Sequence, residues 1–331
     1  MTADINQIII SSRVRLARNI EGLPFKTKRR NAFDEIAETI KAANRGFVST
    51  AVSELSDDMA HALFEQHLIS RELLDNKINS VIVSRTDNRV VIMLGEEDHI
   101  RIQAITMGLD LDTAYTAAKK ISDDIEAHHE IAKRTDFGYL TSCPTNLGTG
   151  MRASVMMFLP ALSKTGRINA IAKTLSSKHI TVRGVYGEGS EANGCMYQIS
   201  NQACFGKTEH EILSMVKTVA NELVSLEFAL AKKLLDTNTD ELVDRTMRAW
   251  GTLTNAYMIS SAEAMELLAD LKFGCILEII KLKNQHVLDD LFFITQPNTI
   301  ITVEKKSLDP AGRDKIRAGR VKEILLTSRI K

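Results

Sequence analysis

The chain has 331 residues, 44% of them hydrophobic and 25% charged, with 42 basic side chains matched by 42 acidic ones. That is folded, globular material, enough for one large domain and a smaller one, and it excludes disordered and collagen-like classes. Zero net charge gives no reason to expect nucleic acid as the main partner, although residues 13–30 and the tail from Lys305 onward are locally basic. In chain order, the first apolar run is Ile8-Ile9-Ile10. It has no basic stretch before it and no small-residue cleavage site, so no secretory signal is expected and a cytoplasmic location is. A helix is predicted over residues 32–44. Two β-branched runs, 80–84 and 90–94, flank Asp87-Asn88-Arg89 as a hairpin, and 100–106 alternates as a further strand. Apolar residues at helical spacing predict a long amphipathic helix over 111–132. The apolar run 153–162 is about half of what crosses a membrane and contains Pro160, so no membrane association is expected. Strands are predicted at 180–185 and 196–200, and helical periodicity runs from 210 to 235.

Asp236-Thr237-Asn238-Thr239-Asp240 is a turn and helix-capping cluster, the best boundary in the chain. Beyond it, 241–258, 261–271, 285–294 and 310–327 all read helical. The expected fold is therefore α+β: a domain over residues 1–235 with a largely antiparallel sheet flanked by helices, then an all-helical domain over 236–331. The four cysteines, Cys143, Cys195, Cys204 and Cys275, are scattered and include no CxxC pair, so reduced thiols are expected rather than a disulfide framework or a zinc site.

Several familiar motifs fail on inspection. Phe205-Gly206-Lys207-Thr208 resembles the end of a phosphate loop, but Asn201 stands where its first glycine belongs. Gly187-Glu188-Gly189-Ser190-Glu191-Ala192 mimics a dinucleotide fingerprint yet leads into a strand. His128 and His129 are adjacent on a helix and cannot share one ligand-facing side.

What remains is a set of short segments that each combine a turn-prone stretch with arginine. They are Ser11-Ser12-Arg13-Val14-Arg15, Gly95-Glu96-Glu97-Asp98-His99-Ile100-Arg101, Cys143-Pro144-Thr145-Asn146-Leu147-Gly148-Thr149-Gly150-Met151-Arg152 and Arg183-Gly184-Val185-Tyr186-Gly187-Glu188. Arg13 and Arg15 are two apart and project to one face of an extended chain. Arginine is always charged and donates in a planar fork, so several converging arginines can neutralise a triphosphate without a phosphate loop. Taken singly, each of these arginines would more often be a surface residue.

Together and in this order the four segments resemble the signature blocks of the phosphagen (guanidino) kinase family, over roughly residues 8–233. The resemblance implies ATP with Mg2+ as cofactors, the metal being carried by the nucleotide rather than by the protein. It implies that Arg13, Arg15, His99, Arg101, Arg152 and Arg183 bind ATP, and that Glu97, Glu188 and Cys143 act on the guanidinium. A guanidinium is a poor nucleophile because it is protonated and delocalised. Two carboxylates can orient it, and one can take its proton as nitrogen attacks phosphorus.

Departures from the small-molecule members point further. Those enzymes carry a helical domain before the first arginine block, which here begins at Ser11, so a more open guanidinium pocket is expected. The helical extension, together with Glu188-Gly189-Ser190-Glu191-Ala192 and Ile199-Ser200-Asn201-Gln202, is similar to the bacterial protein-arginine kinases. Arg313-Asp314-Lys315-Ile316-Arg317-Ala318 resembles the segment with which that family binds phosphoarginine allosterically. On a helix, Arg313 and Arg317 are i, i+4 neighbours that can reach one phosphate, leaving Asp314 for the ligand's guanidinium. The resemblance implies protein substrates with exposed arginines, marked for ATP-dependent proteolysis in stress or quality control. It also implies a homodimer, a zinc-binding activator protein, a heat-shock repressor and a Clp-type unfoldase or protease as partners. The alternatives are a kinase for free arginine and a non-catalytic phosphoarginine-binding adaptor.

Overall fold

In the computed structural model, which describes residues 4–185 and 193–328, the alternation of Ile10, Val14 and Leu16 with Ser11, Arg13 and Arg15 makes β1 (Ile9–Arg18). The chain continues through α1 (Arg30–Ala43), β2 (Phe47–Ala51), α2 (Asp57–Glu65), α3 (Arg71–Asp75), β3 (Val81–Arg85), β4 (Val90–Leu94) and β5 (Ile100–Met107). Next come α4 (Leu111–Glu126), the short hairpin β6 (Lys133–Arg134) and β7 (Gly138–Tyr139), β8 (Met151–Phe158), α5 (Pro160–Lys164), α6 (Ile168–Ser177), β9 (Ile180–Gly184) and β10 (Met196–Asn201). Six helices finish it: α7 (Glu209–Thr237), α8 (Thr239–Asn255), α9 (Ser261–Ile276), α10 (His286–Ile294), α11 (Pro297–Glu304) and α12 (Pro310–Ser328).

Eight strands form one sheet in the order β2-β3-β4-β5-β1-β8-β10-β9, and every neighbouring pair is antiparallel. One face buries Val14, Leu16, Ile102, Ala153, Val155 and Ile199 under α1, α4 and α7. On the opposite face, α2 and α3 cover only the β2-β3-β4 end, through a small cluster that includes Leu73, Ile82, Val91 and Met93. Arg13, Arg15, Arg101, Gln103, Arg152 and Ser154 share the rest of that face with Ile105, Met107 and Met156.

The α+β architecture matches the expectation, and strands form at 81–85, 90–94, 100–107, 180–184 and 196–201, whereas β2, β6, β7 and β8 were not predicted. The helix expected over 111–132 stops at Glu126 because the chain must return to the segment that follows β1, where Ala132 donates its N–H to Asn19 and Ile131 bridges Ile20. The turn cluster at 236–240 coincides with the junction of α7 and α8, where Asn238 interrupts two otherwise consecutive helices. In the C-terminal part, α9 lies so close to α8 that a Cβ on Gly274 would stand 2.2 Å from a Thr246 methyl. These helices also touch the sheet domain: α11 packs on α2, and α9 packs on the 3-10 turn that opens β10. None of the described helices is long and apolar enough to cross a membrane, and all four cysteines are unpaired.

Candidate active site

Strand register brings the sequence-distant arginines into one row. Arg15 on β1 lies directly opposite Arg152 on β8, and Arg13 lies opposite Ser154. Arg101 on β5 faces Ala17, two residues along from Arg15. On the far side, β10 pairs Gln198 with Arg183 of β9. Like charges directly opposite one another destabilise a sheet, so this arrangement costs the fold stability. The electrostatics agree. Burial, then Arg152 and Arg101, lower the Arg13 pKa to about 10. Arg15 is lowered by burial and by Arg13, Arg101 and Arg152. The buried Nε–H groups of Arg13 and Arg15 have no acceptor among the described residues. Buried donors of this kind are costly unless something accepts from them, and the acceptor-rich oxygens of a polyphosphate suit them. Arg18 shows the contrast. Its odd spacing from the pair turns it to the other face, where Ser122, Glu126 and two backbone carbonyls satisfy it and Tyr139 stacks beneath it.

Arg15, Arg101, Arg152 and Arg183 border a cavity of about 300 Å3 that is also lined by Glu97, Cys143, Thr145, Asn146, Ser70 and Glu72. Two adjacent glutamates divide the work within it. Glu96 is fully buried and ion-paired to Arg101, and burial raises its pKa against the pull of that arginine. Glu97 stands 3.9 Å from Arg101 with its side chain 30% exposed to the cavity. Cys143 faces it from the loop after β7, its Sγ 3.0 Å from the Thr145 hydroxyl.

That loop is held by a residue the motif reading passed over. Asp98 is buried, and one of its oxygens accepts both the Ser142 N–H and the Asn19 amide, each at 2.7 Å. The Ser142 hydroxyl donates to the Glu97 carbonyl. Glu97 and the Cys143 loop are thereby fixed to one another and to β1. Gly138 makes the approach possible: its φ is +69°, and a Cβ there would lie 2.4 Å from the Gly148 carbonyl oxygen.

Two expected site residues behave differently. His99 is 1% exposed, accepts from the Ile20 N–H at Nδ1 and contacts the Pro24 carbonyl at 2.8 Å through Nε2. Both ring nitrogens serve the backbone, so His99 braces a loop and lines neither cavity, contrary to the expectation that it binds ATP. Glu188 lies outside the described residues.

A larger cavity of about 540 Å3 adjoins the first, with Gln198 lining both. Arg13, Ile105, Met107 and Met156 form its floor, and Phe293, Ile294 and Val303 of the C-terminal helices form a wall. His67 also lines it, in edge contact with Phe293 at 6.2 Å. Burial lowers the His67 pKa to about 3, so its imidazole is neutral. His67 sits just beyond α2 at φ +58°, the position that glycine usually takes at a helix end, with Leu68 N–H bonded to the Leu63 carbonyl and His67 N–H to that of Phe64. A left-handed histidine costs about 1 kcal/mol.

The C-terminal segment also departs from expectation. Arg317 is 1% exposed and donates to the Thr295 and Ile259 carbonyls and to Asp314. Asp314 and Arg317 are thus committed to each other and to the core. Arg313 keeps a half-buried guanidinium while that of Arg317 is buried, so the two arginines do not converge on one phosphate here. Among the described residues no three His, Cys, Asp or Glu side chains gather as a metal site.

Residues 28–230 match the family model for the ATP:guanido phosphotransferase C-terminal catalytic domain, and residues 239–330 match that for the protein-arginine kinase McsB C-terminal domain. The chain is 39% identical over 328 residues to a protein-arginine kinase of Clostridium kluyveri, covering 96% of this chain and 94% of that one. It is 39% identical over 329 residues to a protein-arginine kinase of Bacillus subtilis, covering 97% and 90%. Among solved structures, a lombricine kinase superposes with a TM-score of 0.59 at 25% identity, over 68% of this chain and 67% of that one.

Proposed function

The chain belongs to the ATP:guanido phosphotransferase family, among its protein-arginine kinases, and from that premise we propose how its site moves the γ-phosphate of ATP onto arginine side chains of proteins. The observation that carries the reading is the arginine row, which borders the same cavity as Glu97 and Cys143. Arg15, Arg101, Arg152 and Arg183 hold the phosphates, and Arg13 continues the row toward the larger cavity, which takes the nucleoside between Met156 and Phe293. Its volume and mostly apolar lining suit an adenosine.

The substrate guanidinium enters beside Glu97 and Cys143. Glu97 and Glu188 orient it, and one of them accepts a proton as the N–P bond forms. The bond from the γ-phosphorus to the bridging oxygen breaks, and ADP leaves. Phosphoryl transfer needs little covalent help, so alignment and charge neutralisation by the arginines supply most of the rate. Mg2+, arriving on the triphosphate, adds to that neutralisation. Burial of Glu96 keeps Arg101 aimed into the cavity and leaves Glu97 free for the guanidinium. We further propose a catalytic part over residues 1–235 and a helical, dimer-forming part over 236–331, in a cytoplasmic enzyme. The resemblance to protein-arginine kinases supports substrate marking for Clp-type proteolysis, with a zinc-binding activator and a heat-shock repressor as partners.

The test is phosphate counting on a folded protein substrate and on free arginine, at neutral pH and after mild acid. Acid-labile phosphate on protein arginines, lost in Glu97→Gln, is the expected result. Phosphate on free arginine alone would make the enzyme a small-molecule kinase, and ATP that stays unhydrolysed with both would leave a binding module.

A further inference from the structure

The larger cavity is closed by helices that belong to the other half of the chain, and one side chain holds them there. Glu65 is the last residue of α2, two positions before His67. Its carboxylate accepts from both backbone N–H groups at the start of α11: Asn298 N–H at 3.0 and 3.1 Å, and Thr299 N–H at 2.8 Å. The Asn298 amide donates to it at 2.6 Å and the Thr299 hydroxyl at 3.0 Å. Five hydrogen bonds converge on one carboxylate, which also lies at the positive end of the α11 dipole. Immediately before α11, the Thr295 carbonyl accepts from buried Arg317. The elbow between α10 and α11 is therefore gripped from both sides. Phe293 and Ile294 on one side of that elbow, and Thr299 and Val303 on the other, line the cavity.

We propose that Glu65 is a positioning residue for nucleotide binding: by holding the start of α11 it fixes the α10–α11 elbow as a wall of the larger cavity and keeps His67 in place. This rests on the reading that the nucleoside occupies that cavity. The arginine row lies on the sheet and does not depend on the elbow, so the clamp acts on the nucleoside half of ATP and not on its phosphates. Glutamine cannot replace Glu65, because one of its two terminal atoms is an N–H2 group that would face the N–H and O–H donors of Asn298 and Thr299. Aspartate keeps the charge one methylene short and should recover part of the function.

The test uses the full chain and compares the parent with Glu65→Gln, Glu65→Asp and Met156→Trp, the last of which fills the cavity from its floor. KM for ATP and kcat are measured with a protein substrate, alongside inhibition by inorganic tripolyphosphate, which needs only the arginines. The expectation is that Glu65→Gln raises KM for ATP about tenfold or more with kcat within about twofold and tripolyphosphate inhibition unchanged. Glu65→Asp should fall between, and Met156→Trp should also raise KM. If Met156→Trp raises KM while Glu65→Gln matches the parent, the clamp is overturned and the cavity assignment stands. If Met156→Trp leaves KM unchanged, the nucleoside lies elsewhere and the clamp falls with it. Equal weakening of ATP and tripolyphosphate in Glu65→Gln would mean that Glu65 only supports the fold, which also overturns the proposal.

Discussion

Arg101 is ion-paired to the buried carboxylate of Glu96, its neighbour across one turn of chain, while the Glu97 carboxylate remains 3.9 Å away and open to the cavity. The bend between β4 and β5 carries these two residues, burying one and leaving the other partly exposed, so adjacent glutamates can do unlike jobs: one aims a phosphate-binding arginine and the other is left for the substrate.

This division predicts that Arg101→Lys fails although it keeps the charge. An ammonium cannot hold Glu96 and present a second donor pair to a phosphate in the fixed fork that guanidinium provides. Turnover should fall at least about 10²-fold, with weaker ATP binding. Kinetics at varied ATP check it, and parental values of both kcat and KM would show that Arg101 is only the partner of Glu96.

Glu97→Gln should lower turnover at least about 10²-fold with little change in KM for ATP, because a group that orients the nucleophile or takes its proton acts mainly in the transition state. Glu188→Gln should do the same. Near-parental kcat in both variants would remove the two-carboxylate mechanism.

Much of this site was legible from the chain alone because strand periodicity is local information. Arg13 and Arg15 had to share a face, whereas no strand was predicted over 151–158, and the alternation there that puts Arg152 on the same side of the sheet as Ser154 emerges only in the fold. His67 and Asp98 were not legible. Their roles depend on a helix-end turn and a cross-loop hydrogen bond that only tertiary contacts fix. Arg317 is the instructive case. The i, i+4 spacing correctly put Arg313 and Arg317 on neighbouring positions of one helix, but it did not say which way that face looks. Arg317, Val321 and Leu325 form an i, i+4, i+8 stripe, and all three are buried. The apolar members of that stripe were a signal that Arg317 faces inward.

Arg317→Ala should accordingly act on stability. It removes a buried guanidinium that bonds two carbonyls and leaves Asp314 without its partner, and burial already lowers the Arg317 pKa. A loss of about 3 kcal/mol or more is expected, whereas Arg313→Ala should stay within about 0.5 kcal/mol. Urea unfolding of both variants checks this. Equal, small effects would show that Arg317 is not the core residue its contacts describe.

Glu227 gives a pH dependence of opposite sign to the usual carboxylate. It is fully buried in α7, and its two oxygens accept the Ala161 and Leu162 N–H groups at 2.5 and 3.0 Å. Burial nevertheless pushes its pKa from 4.5 up to about 7. The folded state therefore retains a proton that the unfolded chain has lost, and wherever the native state binds more protons, stability falls as pH rises. The contribution is fully present below pH 4.5, declines through the window up to about 7 and is gone above it. Its size is on the order of 3 kcal/mol. Glu227→Gln cannot titrate, so the stability of the parent relative to that variant should drop steadily from pH 5 to 7 and level off beyond. Urea unfolding of both proteins across that range reads the difference directly, with every other titrating group common to the two. A difference that stays constant with pH would mean that Glu227 is already ionised in the folded protein, its two backbone donors outweighing the cost of burial.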